Sequence, residues 1–164
     1  MKYRYATKKP SPEKMKQTAF DMNTAEQKCL RLLACRDRSQ AELRQRLLRE
    51  GFSAQLADAC LSRLVEIGIV DDRRFCETYL KSKVNSGWGM IRIINKLRCF
   101  GIDIQKYPSL ASEYFDPDNE LSRAQEQLKR YRGKAEDVCS GQYRYLLSKG
   151  YSPTVIAQVL RYSA

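Results

Sequence analysis

The side chains that could do chemistry are few, and one is missing altogether. Histidine, the commonest general base at neutral pH, does not occur in the 164 residues. Its absence removes every Ser-His and Cys-His nucleophile arrangement. Six cysteines remain: Cys29, Cys35, Cys60, Cys76, Cys99 and Cys139. They are irregularly spaced, with none of the closely spaced pairs that a zinc site uses, so they read as small, reduced, buried apolar residues of helices. Asp71 and Asp72 are adjacent carboxylates, but they stand where a helix begins, and there Asp serves as cap and first-turn charge. No glycine-rich phosphate loop or dinucleotide fingerprint is present. The expectation is a protein without catalysis, cofactor or metal.

What remains is positive charge. Thirty Lys and Arg face 19 Asp and Glu, a net +11. An excess of that size repels itself, and a polyanionic or acidic partner is the simplest reason to keep it. The cations cluster. Arg36, Arg38, Arg44 and Arg46, with Arg49, surround one helix; Lys81, Lys83, Arg92, Lys96 and Arg98 flank and line another; Lys129, Arg130 and Arg132, with Lys134, follow a third. The plainer reading is a solvated face with pairs such as Glu42 and Arg46 at i,i+4. Trp88, between two glycines, either packs a junction or anchors a partner, and packing is the preferred reading. Tyr143, Tyr145, Tyr151 and Tyr162 lie among Arg144 and Arg161, where they could stack on bases, but they read as the rim of a core.

The elements that must position these groups are helices. A hydrophobic fraction of 43% suffices for a core, and no segment alternates with period two. No apolar run approaches a membrane span, and residues 1–23, rich in Lys and Pro, carry no secretory core and read as a disordered basic tail. Thr24 with Gln27, and Ser39 with Glu42, form capping boxes. Leu43, Leu47 and Leu48 share a face of the second helix; Leu56, Ala57, Cys60, Leu61, Leu64 and Ile67 make the face of the third. Asp71 and Asp72 open a fourth, and a fifth runs from about Gly89 to Gly101. Pro108 shortens or breaks the sixth. A polar link over 116–119 precedes the seventh, and the eighth carries Tyr145, Leu146 and Leu147. Ser152 and Pro153 open the ninth.

Three helix stops share one pattern. Leu47 precedes Gly51-Phe52-Ser53, Leu97 precedes Gly101-Ile102-Asp103, and Leu146 precedes Gly150-Tyr151-Ser152; the glycines stand 50 and 49 residues apart. A glycine-ended helix is common alone, but three at nearly equal spacing mark a repeated unit. The fold class expected is all-α, with tandem three-helix units over 24–70, 71–115 and 116–164 forming an elongated, curved array.

These residues resemble the RecX regulatory proteins, which modulate the RecA recombinase. The resemblance is carried by Arg36-x-Arg38-Ser39-x-x-Glu42-Leu43, Leu47 and Gly51-Phe52, then Leu64, Gly68, Asp71-Asp72-x-x-Phe75 and Tyr79, then Gly87-x-Gly89, Ile93, Leu97 and Gly101-Ile102. It spans about Thr24 to Tyr162 and is loosest in the third unit. It implies a cytoplasmic, non-catalytic protein, and a monomer is the expected state. Such a protein docks along the RecA filament on single-stranded DNA and inhibits recombinase and co-protease activity. Its own binding to single-stranded or duplex DNA is then weak and unselective. Two alternatives stand beside it: a stand-alone helix-turn-helix reader of duplex DNA, and a helical scaffold for an acidic protein.

Overall fold

The computed structural model describes residues 21–132 and 138–162. The tail over 1–20 and Lys134 lie outside them. Among the described residues there are nine α-helices and no strand. They are α1 (Met22–Cys35), α2 (Gln40–Arg49), α3 (Ala54–Glu66), α4 (Asp72–Asn85), α5 (Met90–Cys99), α6 (Pro108–Tyr114), α7 (Pro117–Lys129), α8 (Val138–Lys149) and α9 (Pro153–Tyr162). A 3-10 turn, Ile104–Lys106, precedes α6. The architecture is all-α, in tandem three-helix units.

The closest helix packing lies within each unit. Helices α1, α2 and α3 pack on one another, α4 takes α5 and α6, and α7, α8 and α9 close a third group. Each group has its own core. Leu43, Leu47, Leu61 and Leu64 fill the first with Cys29 and Cys60; Phe75, Leu80, Ile93, Leu97 and Leu110 fill the second; Leu146, Tyr151, Ile156 and Val159 fill the third.

The three glycine stops are one hydrogen-bonded device. Gly51, Gly101 and Gly150 all take positive φ (96°, 74° and 93°), which admits glycine without strain. The following amide then reaches back over the turn: Phe52 to the Leu47 carbonyl (3.2 Å), Ile102 to Leu97 (3.0 Å), Tyr151 to Leu146 (3.2 Å). All six of these apolar partners are buried. The repeat in the sequence is therefore a repeat of helix endings that fold an apolar residue under its own helix.

The units join through these same stops. At the first junction the end of α5 meets the start of α2. Ser39 Oγ donates to the Phe100 carbonyl (2.6 Å), and a Cβ on Gly101 would collide with Ala41. At the second, the end of α8 meets the start of α5. The amides of Gly89 and Ile91 donate to the carbonyls of Lys149 (2.9 Å) and Gly150 (3.1 Å). The first amide of each receiving helix is met by a carboxylate of the following unit. Gln40 N–H donates to Asp72 (2.8 Å), and Met90 N–H donates to Glu120 (3.0 Å). A helix start has amides without intrahelical partners and a helix end has carbonyls in the same condition. At the second junction the amides of one terminus meet the carbonyls of the other, and at the first a serine hydroxyl supplies the donor.

Several local expectations are corrected. Helix α1 begins earlier, capped by Asp21, whose carboxylate accepts the Thr24 amide (2.7 Å). Ser39 does accept the Glu42 amide, but the Glu42 carboxylate turns to Arg36 and not back to the cap. Residues 117–119 belong to α7, because Pro117 suits the first helical position and Asp116 is the cap. The sixth segment is broken at Pro108 as expected, into the 3-10 turn and a seven-residue α6 that the proline opens. Ile67 is the α3 C-cap, past the last helical turn, and is 59% exposed. Leu147 is also half-exposed, beside a helix face that buries Leu146.

Two outcomes follow for stability. A Cβ on Gly89 would meet the Gly150 and Tyr151 backbone, which has no rotamer to yield. Gly89→Ala should therefore lower stability by about 1–3 kcal/mol and loosen the third unit first, seen as an early step in thermal unfolding. Asp72 is partly buried, and burial pushes its carboxyl up while the Gln40 amide opposes this. Asp72→Asn keeps an acceptor and should stay near wild type in urea melts; Asp72→Ala should lose about 1 kcal/mol.

Candidate functional site, a cationic and aromatic strip across the unit junctions

Helices α4 and α5 carry a continuous strip of aromatic rings and cations. Phe75 and Tyr79 stack along α4 at 6.1 Å. Phe100, at the end of α5, meets both edge-on, at 5.5 Å and 5.3 Å. The cations lie over these rings. Lys83 Nζ is 5.4 Å from the Tyr79 ring centre and 5.1 Å from that of Trp88. The Arg92 guanidinium is 3.9 Å from the Trp88 centre, and Lys96 is 5.8 Å from Phe100. An ammonium over an aromatic face keeps its charge near solvent while its position is fixed.

A cavity opens at each end of the strip. The first, about 390 Å³, lies between the first and second units, lined by Arg36, Phe75, Tyr79, Lys83 and Phe100 among others. The second, about 480 Å³, lies between the second and third, lined by Trp88, Ile91, Arg92, Lys96, Cys99 and Leu147 among others. Arg92 spans this second junction directly, donating from Nη1 to the Ser148 carbonyl (3.2 Å).

The cations singled out by type and spacing thus have different placements. Lys83, Arg92 and Lys96 come together on the strip, with Arg36 at its far end. Lys81 and Arg98 are exposed on the same two helices but line neither cavity. Around α2 most of the arginines are tied to carboxylates. Arg36 grips Glu42 through both Nη atoms (2.6 and 3.1 Å). Arg38 donates to the Leu32 carbonyl (3.3 Å) and lies 4.0 Å from Glu42. Arg44 forms a bidentate pair with Asp58 (2.6 and 3.1 Å), which raises the guanidinium pKa and lowers the carboxyl. Arg46 pairs with Glu50 at 2.7 Å, and not with Glu42 as its spacing suggested. In the third unit Lys129 meets Glu126 (2.6 Å), and Arg132 donates to the Lys129 carbonyl (2.8 Å). Arg130 lines a smaller cavity of about 290 Å³ with Arg123 and Gln127. Arg44, Arg92 and Lys129 each engage a separate set of partners.

Trp88 packs against the second core, as preferred, yet it also walls the second cavity. Tyr151 is fully buried and donates to the Gly87 carbonyl (3.2 Å); burial pushes its phenol up to about 12. Tyr145 packs against the third core and Tyr143 is exposed, while the Tyr162 side chain lies outside the described residues. Asp71 is the α4 cap, accepting from the Arg73 and Arg74 amides (2.8 and 3.1 Å). Sequence reasoning missed Tyr79, Phe100, Ile91 and Leu147 as parts of a surface. Their only signal was a second apolar position beside each core residue, and that spacing also describes a wide core face.

No group of His, Cys, Asp and Glu among the described residues is placed to hold a metal ion, and none of the described helices is long and apolar enough to cross a membrane. Cys29, Cys60 and Cys76 are buried, whereas Cys35, Cys99 and Cys139 are exposed.

Family models for the first and second three-helix domains of RecX match residues 25–64 and 71–104. The regulatory protein RecX of Mycolicibacterium smegmatis is 35% identical over 135 residues, covering 79% of this chain and 71% of that one. The chain belongs to the RecX family. Its likeness extends to the regulatory protein RecX of Legionella pneumophila, 29% identical over 85% of this chain and 95% of the relative. Two crystal structures share the fold. One, of a regulatory protein RecX, has a TM-score of 0.72 at 20% identity and covers 85% of this chain and 73% of that one. The other, of RecX from Lactobacillus salivarius, has a TM-score of 0.73 at 16% identity, covering 88% and 97%. In this RecX-family chain, α1–α3 fall in the first matched domain and α4 and α5 in the second, which carries the strip.

The cysteines make a checkable statement about the cores. Burial pushes the thiols of Cys29 and Cys76 up to about 12 and about 11, and raises that of Cys60. The folded protein keeps these protons while the unfolded chain loses them near its ordinary thiol pKa. The unfolded state then binds fewer protons, so stability falls as pH rises above about 9. Urea midpoints between pH 8 and 10.5 should decline, and less steeply for Cys76→Ala. At pH 8 a thiol reagent should label Cys35, Cys99 and Cys139 rapidly and the buried three only on unfolding.

Proposed function

We propose that this chain is a non-catalytic cytoplasmic monomer that binds the RecA filament on single-stranded DNA and inhibits its recombinase and co-protease activities. The observation that carries this reading is the strip of fixed cations on α4 and α5, in a family whose relatives are named regulatory proteins. An extended polymeric partner needs contacts spread over more than one unit. The strip supplies them, since its two cavities are shared with the first and third units. Single-stranded DNA within the filament adds a polyanion that the net charge of +11 favours, and bare DNA is bound weakly and without selectivity. Membership of the family and the location of the cations favour this over a stand-alone duplex reader.

The test is inhibition of RecA-dependent ATP hydrolysis and strand exchange by the cognate recombinase. The double variant Lys83→Ala with Lys96→Ala should raise the concentration needed for half-inhibition about tenfold, the scale of one or two charge contacts. Arg44→Ala should remain near wild type, because Arg44 is already held by Asp58. An inert wild-type protein in both assays refutes the reading, and selective tight binding to one duplex without RecA supports the duplex reader instead.

A further inference from the structure

We propose that the cavity between α5 and α8 is a docking pocket for an acidic protein segment, which inserts an aliphatic or aromatic side chain between Ile91 and Leu147. This rests on the filament-binding reading and assigns the partner chemistry of one part of that surface. Ile91 is 41% exposed and Leu147 46%, and both line the cavity of about 480 Å³. They come from different units, and the junction bonds bring them together: Ile91 N–H donates to the Gly150 carbonyl, and Arg92 to that of Ser148. The cavity wall carries Arg92 and Lys96 and no carboxylate. An apolar floor with a cationic rim complements a segment that pairs apolar anchors with Asp or Glu.

The same geometry disfavours nucleic acid as the occupant. A base binds by stacking on an open aromatic face. Here Arg92 and Lys83 lie over Trp88, and Lys96 lies over Phe100. The large apolar groups left exposed in the cavity, Ile91 and Leu147, are aliphatic and suited to a side chain. Because the walls belong to two units, an occupant would also hold the second junction closed.

The experiment has two arms, each on the full-length protein. In the first, binding to the cognate RecA filament is compared with binding to a bare thymidine oligonucleotide. Ile91→Ser with Leu147→Ser, both surface positions, should weaken filament binding by about tenfold or more, the effect of losing a central anchor, with oligonucleotide binding unchanged. In the second, Trp88, the single tryptophan, reports directly. A tryptophan-free peptide of glutamates and leucines should shift its emission to the blue, and the same peptide with serine for leucine should not. Wild-type filament affinity in the double variant overturns the proposal. So does an equal loss on the bare oligonucleotide, which would make the pocket a nucleic-acid contact, and so does a silent Trp88. If the wild-type protein fails to bind the filament at all, the filament reading falls, while the Trp88 titration still decides the pocket.

Discussion

The end of one helix feeding the start of another is the constraint on which this molecule depends. A helix terminus is a set of unsatisfied backbone groups, and a unit of about 45 residues has too small a core to leave them all to water. Here the carbonyls at the end of α8 accept from the amides at the start of α5, and the end of α5 meets Ser39 at the start of α2. A carboxylate from the next unit, Asp72 or Glu120, takes the remaining first-turn amide in each case. The units are joined by directed bonds between termini.

That mode of joining requires glycine. Gly101 and Gly150 turn their helices back at positive φ, and their missing side chains admit Ala41 and Arg92 to the same space. Conformation and clearance are demanded at the same residue, so no other amino acid serves both. Gly89 answers the approach from the opposite side of the second junction, which explains why that helix is capped by its neighbour's backbone where α2 uses a serine hydroxyl.

The junctions also shape the candidate site. Two cavities form where units meet, and both open onto the aromatic face of the second unit. The charge is sorted accordingly. Arginines around α2 are mostly committed to Glu42, Asp58 and Glu50, whereas Lys83, Arg92 and Lys96 lie over rings, with no carboxylate of the described residues within ion-pair distance. A cation held by a ring offers a fixed charge to a partner. One held by a carboxylate has already spent most of its field.

Much of this was legible in the amino-acid sequence. Period and composition require helices, and Leu-x-x-x-Gly followed by an apolar residue requires a helix that ends by folding that residue under itself; Leu47 and Phe52, Leu97 and Ile102, and Leu146 and Tyr151 do so. These are local consequences, settled within about six residues. The absence of histidine and the net charge are likewise properties of composition alone. Tertiary structure decided what lies across long separations. It gave Asp72, a first-turn charge of α4, the Gln40 amide 32 residues away as a second partner, and set Leu147 beside Ile91. It also divided one abundant charge into cations already paired and cations presented. Sequence counts charges, but which of them faces a carboxylate, a ring or an open cavity depends on how the helix ends meet.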